Sequence, residues 1–288
     1  MKMILVPLAD DVGGKGLLDT AFAIAQRFNA HVDGLHVRPD PAEALHATSM
    51  AFPGALRDQV LEVGRRQAEE TATQVRTLFQ DYCAENGIPV LERPPFADGV
   101  SAAWHEKTGK ESLVVALRGR LTDLIVVRRP LQASPAPDTL EAALMETGKP
   151  VLILPLKDDE GAPESVGRRV AIAWNGSTVA AKAVAAARHF LITADKVTAL
   201  SLQEEKGQQL SLADLVDHLA WHGVEADTRR FEARSSQIGE ALLAEVRALN
   251  ADLLVLGGYG TSMTRELILG GVTRHMLTHA EIPLLMVH

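Results

Sequence analysis

Glycines Gly257, Gly258 and Gly260 stand directly behind the apolar run 253–256, and a second pair, Gly270 and Gly271, precedes Val272 and Thr273. Glycines at the carboxyl end of a buried strand leave backbone N–H groups uncovered and able to face an anion. A helix starting near Gly271 would aim the positive end of its dipole at the same point. The chemistry this spacing offers is capture of a phosphate chain by two separate glycine loops.

Other residues with chemical potential fit simpler roles. His218 and His222, like His275 and His279, lie four apart and would share a helix face, as zinc ligands can. Neither pair has the Glu of an HExxH site, so surface or half-buried histidines are the expectation. The run Gly13-Gly14-Lys15-Gly16 lacks the leading Gly and the trailing Ser or Thr of a phosphate loop. Asp10 and Asp11, and Ser177 after Asn175-Gly176, suit helix capping better than catalysis. No GxSxG elbow is present, and the one cysteine, Cys83, has no evident base beside it. No catalytic residue and no metal ligand is assigned.

Bulk properties narrow the class. A chain of 288 residues has room for two ordinary domains. Its hydrophobic content of 47% and charged content of 23% are those of a globular protein. A net charge of -8 argues against a general nucleic-acid binder. A lone cysteine excludes an internal disulfide, no apolar run reaches membrane-spanning length, and the amino-terminal run is too short for a signal peptide. These features lead to the expectation of a cytoplasmic protein.

The elements that must position the glycine loops alternate along the chain. Apolar runs predict strands at 4–8, 31–37, 90–92, 124–127 and 151–156. Helical spacing predicts helices at 15–29, 55–86, 111–118 and 139–147. Residues 157–169, with charges, Gly and Pro, read as a linker. Strands at 170–174, 196–202, 227–232, 253–256 and 283–287 then alternate with helices at 178–190, 210–222 and 238–249. The block 122–127, TDLIVV, superimposes on 251–256, ADLLVL, and 147–155 on 280–288. The chain is therefore read as two copies of one β-α-β unit, residues 1–156 and 170–288. Each copy would be a doubly wound, mainly parallel α/β sheet that binds ligands at the carboxyl ends of its strands.

Gly257-x-x-Gly260, nine residues, then Gly270-Gly271-Val272-Thr273 resembles the nucleotide motif of the universal stress protein family. The strand ending in Trp174-Asn175-Gly176-Ser177 resembles the family's first strand, which usually ends in Asp. The resemblance covers both halves and implies two tandem five-stranded domains, pairing through their final strands as separate subunits do elsewhere in the family. It also implies a stress-response protein that binds ATP or another adenine nucleotide, alone or with Mg2+, and is either non-enzymatic or capable of at most weak ATP hydrolysis. Carried over, Ala173, Trp174 and Asn175, with Ser201 or Leu202, would hold adenine and ribose. Gly257, Tyr259, Gly260, Gly270, Gly271, Val272 and Thr273 would hold the phosphates.

Two departures bear on affinity. Gly271 replaces a usual Ser or Thr, losing one hydroxyl contact to phosphate, on the order of 1.5–3 kcal/mol. Asn175 keeps an acceptor oxygen and drops the charge of the usual Asp. The first half departs further, with Arg128-Arg129-Pro130-Leu131 where the glycines should stand. Proline has no N–H to offer, and side chains keep phosphate from the backbone. Residues 1–156 thus read as a degenerate partner. The two arginines are either solvated or an anion attractor of another kind. The extra length between Pro39 and Arg66 includes Ala47, Met50, Ala51, Phe52 and Leu56 and suits a lid, a contact surface or a plain insertion. A nucleotide-independent scaffold that binds a partner protein is the alternative to nucleotide control. A further homodimer of the two-domain chain is also open.

Overall fold

The apolar runs fold as strands, and the segments of helical period pack on them in alternation. The computed structural model describes residues 1–10, 14–42, 54–92, 99–129, 138–155, 165–203, 210–258 and 271–288. The described residues form two units. The first takes those of Met1–Val126 and Ala136–Thr147, and the second those of Val127–Pro135, Gly148–Asp158 and Pro163–His288. Much of the expected linker, residues 157–164, lies outside the described residues.

The first unit runs β1 (Met3–Pro7), α1 (Gly14–Phe28), β2 (His31–Arg38), α2 (Gly54–Glu85), β3 (Ser101–Thr108) and α3 (Glu111–Gly119), then β4 (Leu124–Arg128) and α4 (Asp138–Glu146). Its strands lie in the order β3-β2-β1-β4, all parallel. Parallel strands covered on both faces bury apolar runs, and Ile4, Leu5, Val6, Leu124, Ile125 and Val126 are all sealed from solvent. α1 presents Leu18, Ala21, Phe22 and Ala25 to the sheet, and Phe22 stacks on Tyr82 of α2 at 5.3 Å between centroids. Gly34 in β2 admits the ring of Phe79, which would stand 2.5 Å from any Cβ placed there. Cys83 lies on the same buried face, and burial pushes its thiol up to about 11, out of the nucleophilic range.

The second unit comprises β5 (Val151–Leu154), β6 (Arg169–Ala173), α5 (Thr178–Ala186), α6 (Arg188–Ile192), β7 (Lys196–Leu202), α7 (Leu212–Trp221), β8 (Ala226–Phe231), α8 (Ile238–Ala248), β9 (Leu253–Gly257), α9 (Gly271–His279) and β10 (Leu284–Val287). Its strand order is β5-β10-β9-β6-β7-β8. Every pairing is parallel except β5 on β10, where Leu285 faces Leu152 in antiparallel register.

The internal repeat extends to individual backbone bonds. Leu8 N–H donates to Leu35 O at 2.8 Å, as Trp174 N–H does to Leu200 O at 2.8 Å. Asp123 N–H donates to Met3 O and Asp252 N–H to Arg169 O, each at 2.9 Å. Each of these aspartates also anchors the start of a first strand. Asp123 accepts from the N–H groups of Lys2 and Met3, and Asp252 from those of Gly167, Arg168 and Arg169.

Two expectations need correction. Residues 90–92 make only an isolated bridge, Val90 to Ala102, and the edge strand is 101–108, a segment given no strand from its sequence. Its outer half, Trp104 to Thr108, is only partly covered, so polar residues are tolerated there and the apolar signal is lost. The helix expected over 178–190 is interrupted at Ala187, which closes α5 and opens α6.

Candidate functional site

Of the candidate residues, Ala173, Trp174, Asn175, Ser201 and Gly257 lie at the carboxyl ends of β6, β7 and β9. β6 ends at Ala173, half-buried and paired with Leu200. Trp174 follows with 5% of its surface exposed, and its indole N–H donates to Leu210 O at 3.0 Å. The ring is therefore a packed wall, tying the start of α7 to the end of β6, and its one donor is in use. Leu210 adjoins Ser211, which closes a capping box with Asp214 at the start of α7.

Asn175 is exposed, and its Oδ1 accepts from Ser177 N–H at 3.1 Å. Ser177 in turn caps α5, its hydroxyl accepting from Ala180 N–H at 3.3 Å. The expected cap is in place. The Asn175 acceptor that survives the loss of charge is thus engaged in shaping the turn, which leaves the carboxamide N–H groups for any ligand. Ser201, on β7, is buried at 2% exposure.

Gly257 ends β9 against the first turn of α5. A Cβ there would stand 2.6 Å from the carbonyl carbon of Val179 and 2.8 Å from Ala180 N. Its glycine is demanded by backbone approaching backbone, a requirement independent of any ligand. The next N–H, of Gly258, donates to Val287 O at 2.8 Å and is spent on the sheet. Tyr259, Gly260 and Gly270 lie outside the described residues.

On the far side of that gap α9 begins at Gly271. This residue is exposed, and beyond its own helix no atom of the described residues lies within 4 Å of where its Cβ would be. Val272 is half-buried and Thr273 buried, so the first turn is seated on the protein while its amino end stays open. The leading N–H groups of a helix have no partner within it. An exposed helix N-terminus of this kind can receive an anion.

The histidine pairs share their helix faces as expected. The His275 and His279 rings stack at 4.2 Å, and those of His218 and His222 meet edge to face at 4.9 Å. Among the described residues no group of three or more His, Cys, Asp or Glu side chains is placed to hold a metal. His275 packs beside Gly239 of α8, and partial burial, with the charge of His279 second, lowers its pKa.

The corresponding positions of the first sequence repeat carry different chemistry. Glu111 opens α3, and burial, reinforced by the charge of Asp10, raises its carboxyl pKa against a lowering bond from Thr139. Acidic groups disfavour a polyphosphate. At the loop that should hold glycines, Arg129 is buried rather than solvated, its Nη1 donating to Thr278 O at 3.1 Å and its Nη2 to Ala280 O. Sequence reasoning missed this contact because the partners are backbone carbonyls far along the chain.

Comparison with known proteins agrees with this geometry. Residues 167–288 match the model of the universal stress protein family. A universal stress protein from Archaeoglobus fulgidus DSM 4304 is 15% identical, aligned over 99% of this chain and 95% of its own, with a TM-score of 0.60. A putative universal stress protein from Pseudomonas aeruginosa UCBPP-PA14 is 16% identical over 100% and 93%, with a TM-score of 0.57. The cytoplasmic domain of a prokaryotic cation chloride cotransporter is 12% identical over 99% and 94%, with a TM-score of 0.51. At these identities the likeness is one of fold. No curated protein sequence matches the chain. Among the described residues no helix is long and apolar enough to cross a membrane. The match to the universal stress protein family thus spans residues 167–288, and the full length of the chain has the fold of solved universal stress proteins.

Proposed function

We propose that this protein is a tandem universal stress protein whose carboxyl-terminal domain, residues 170–288, binds ATP or another adenine nucleotide, with residues 1–156 as a degenerate partner domain. One observation carries the reading. The N-terminus of α9 is exposed at Gly271, with no other described residue close over it, next in the family motif after the strand that ends at Gly257. In this reading a phosphate chain would be held there by backbone N–H groups, with Asn175 and Ser201 on the base and ribose side. Mg2+ would share the charge of the phosphates when present. The candidate side chains, Asn175, Ser201 and Thr273 among them, are not bases at neutral pH, which favours binding and release over turnover.

Calorimetric titration and thermal shift with ATP and Mg2+ test this directly. A saturable exotherm and a raised melting temperature are expected. No response at millimolar nucleotide would remove the reading.

A second reading, a scaffold independent of nucleotide, has one observation in its favour. Leu56, Val60 and Val63 are 44%, 40% and 65% exposed on one stripe of α2, within the extra segment 39–66. A protein partner retained through that stripe with and without ATP would favour it.

A further inference from the structure

Arg129 directly follows β4, at the position that Gly258 holds in the second half. The backbone correspondence is close: Arg129 N–H donates to Leu154 O at 2.9 Å, as Gly258 N–H donates to Val287 O at 2.8 Å. Only the side chain differs, and it is folded inward with 9% of the residue exposed.

The guanidinium ends at the carboxyl end of α9. Nη1 donates to Thr278 O at 3.1 Å and Nη2 to Ala280 O, while Nε has no partner. The last carbonyls of a helix lack partners within it, and they carry the negative end of its dipole. A buried cation placed there satisfies them and finds its counter-charge in them. Burial alone lowers the Arg129 pKa, and no carboxylate is among its causes.

α9 is the helix whose opposite end, at Gly271, is the candidate phosphate seat. A helix of nine residues is roughly 13 Å long and moves as a rod. Fixing one end therefore limits where the other can go. We infer that Arg129 is a positioning residue for the nucleotide site, clamping the carboxyl end of α9 so that its amino end is presented at a fixed place beyond β9. This rests on the nucleotide reading above. It also gives the altered first-half loop a role: the residue that replaces a glycine there holds the helix used by the second half.

The test compares Arg129→Gln and Arg129→Lys with the unaltered chain, using amide hydrogen exchange and ATP titration at a temperature where each is folded. For Arg129→Gln, exchange in 271–280 rises while β6, β9 and β10 keep their protection, and ATP binds about tenfold more weakly, the scale of one charged hydrogen bond. Saturating ATP restores protection at 271–273. Arg129→Lys, which keeps the charge and can reach one carbonyl, falls between the two and decides the matter if Arg129→Gln does not fold. Unchanged exchange in α9 overturns the clamp. Looser α9 with unchanged ATP affinity, or a uniform loss of protection across the unit, reduces Arg129 to a structural residue and overturns the positioning role. If the unaltered chain ignores ATP, the nucleotide reading fails and the positioning role with it, whereas the exchange data still report whether α9 is clamped.

Discussion

Two glycines of the same motif behave oppositely under substitution, and the difference lies in what surrounds them. At Gly271 a side chain meets nothing within 4 Å among the described residues outside its own helix. Gly271→Ser is therefore accommodated and returns the hydroxyl that the family usually supplies to a phosphate oxygen. The expected gain is about 1.5–3 kcal/mol, or tighter ATP binding by roughly one to two orders of magnitude. Titration of the variant against the unaltered chain reads this directly, and equal affinity would place the phosphates elsewhere. At Gly257 a methyl group meets the backbone of Val179 and Ala180, which cannot rotate aside. Gly257→Ala should lower stability by about 1–3 kcal/mol through overpacking, visible as an earlier urea midpoint without any ligand. The spacing of these glycines is legible in the sequence. Their separate reasons are not, because the contact of Gly257 is with a turn about eighty positions earlier in the chain. Trp174 is a similar case: only the fold shows that Leu210 takes its N–H.

Elements buried on both faces are the ones that the amino-acid pattern identifies, and the edges are where it fails. Strands such as β4, β9 and β10 are continuous apolar runs within a residue or two of their expected bounds. β3 carries Trp104-His105-Glu106-Lys107 on the open side of the first unit and gives no such run. That same edge holds a polar chain. Asp33 Oδ1 lies 3.1 Å from His31 Nε2 and 3.3 Å from His105 Nε2, and His31 Nδ1 is 2.7 Å from Ser101 Oγ. Burial works to raise the Asp33 pKa, but the bond from His31 and the charges of His105 and His31 outweigh it, and the net shift is downward. A depressed carboxylate pKa adds stability that is fully present above the unfolded value, near pH 4, and is lost as pH falls through the folded value. Asp33→Asn should remove that acid-side loss, so its urea midpoint falls less than that of the unaltered chain between about pH 5 and pH 2. Parallel midpoints over that range would show that the pairing with histidine adds nothing.

At the scale of the whole chain, the boundary in sequence does not coincide with the boundary in contacts. β5 is the last strand of the first repeat, yet it belongs to the second unit, antiparallel on β10. Both strands, VLIL and LLMV, are buried along their whole length. A fragment of residues 165–288 would keep the glycine motif while baring the edge of β10, with unpaired N–H and C=O groups and apolar side chains. Such an edge recruits another strand. The nearest supply is the β10 of a second fragment, in the antiparallel sense that β5 now uses. The fragment is expected to be a dimer by light scattering at micromolar concentration. A fragment of residues 148–288 keeps β5 on β10 and is expected not to pair through β10, whereas its β5 loses the bond that Arg129 N–H gives to Leu154 O and becomes the bared edge instead. Both lack Arg129, so both should bind ATP more weakly than the full chain, and this separates the effect of the clamp from that of the edge. A monomeric 165–288 fragment with full affinity would mean that the first repeat is dispensable to the second, and that neither the strand nor the arginine it contributes shapes the site.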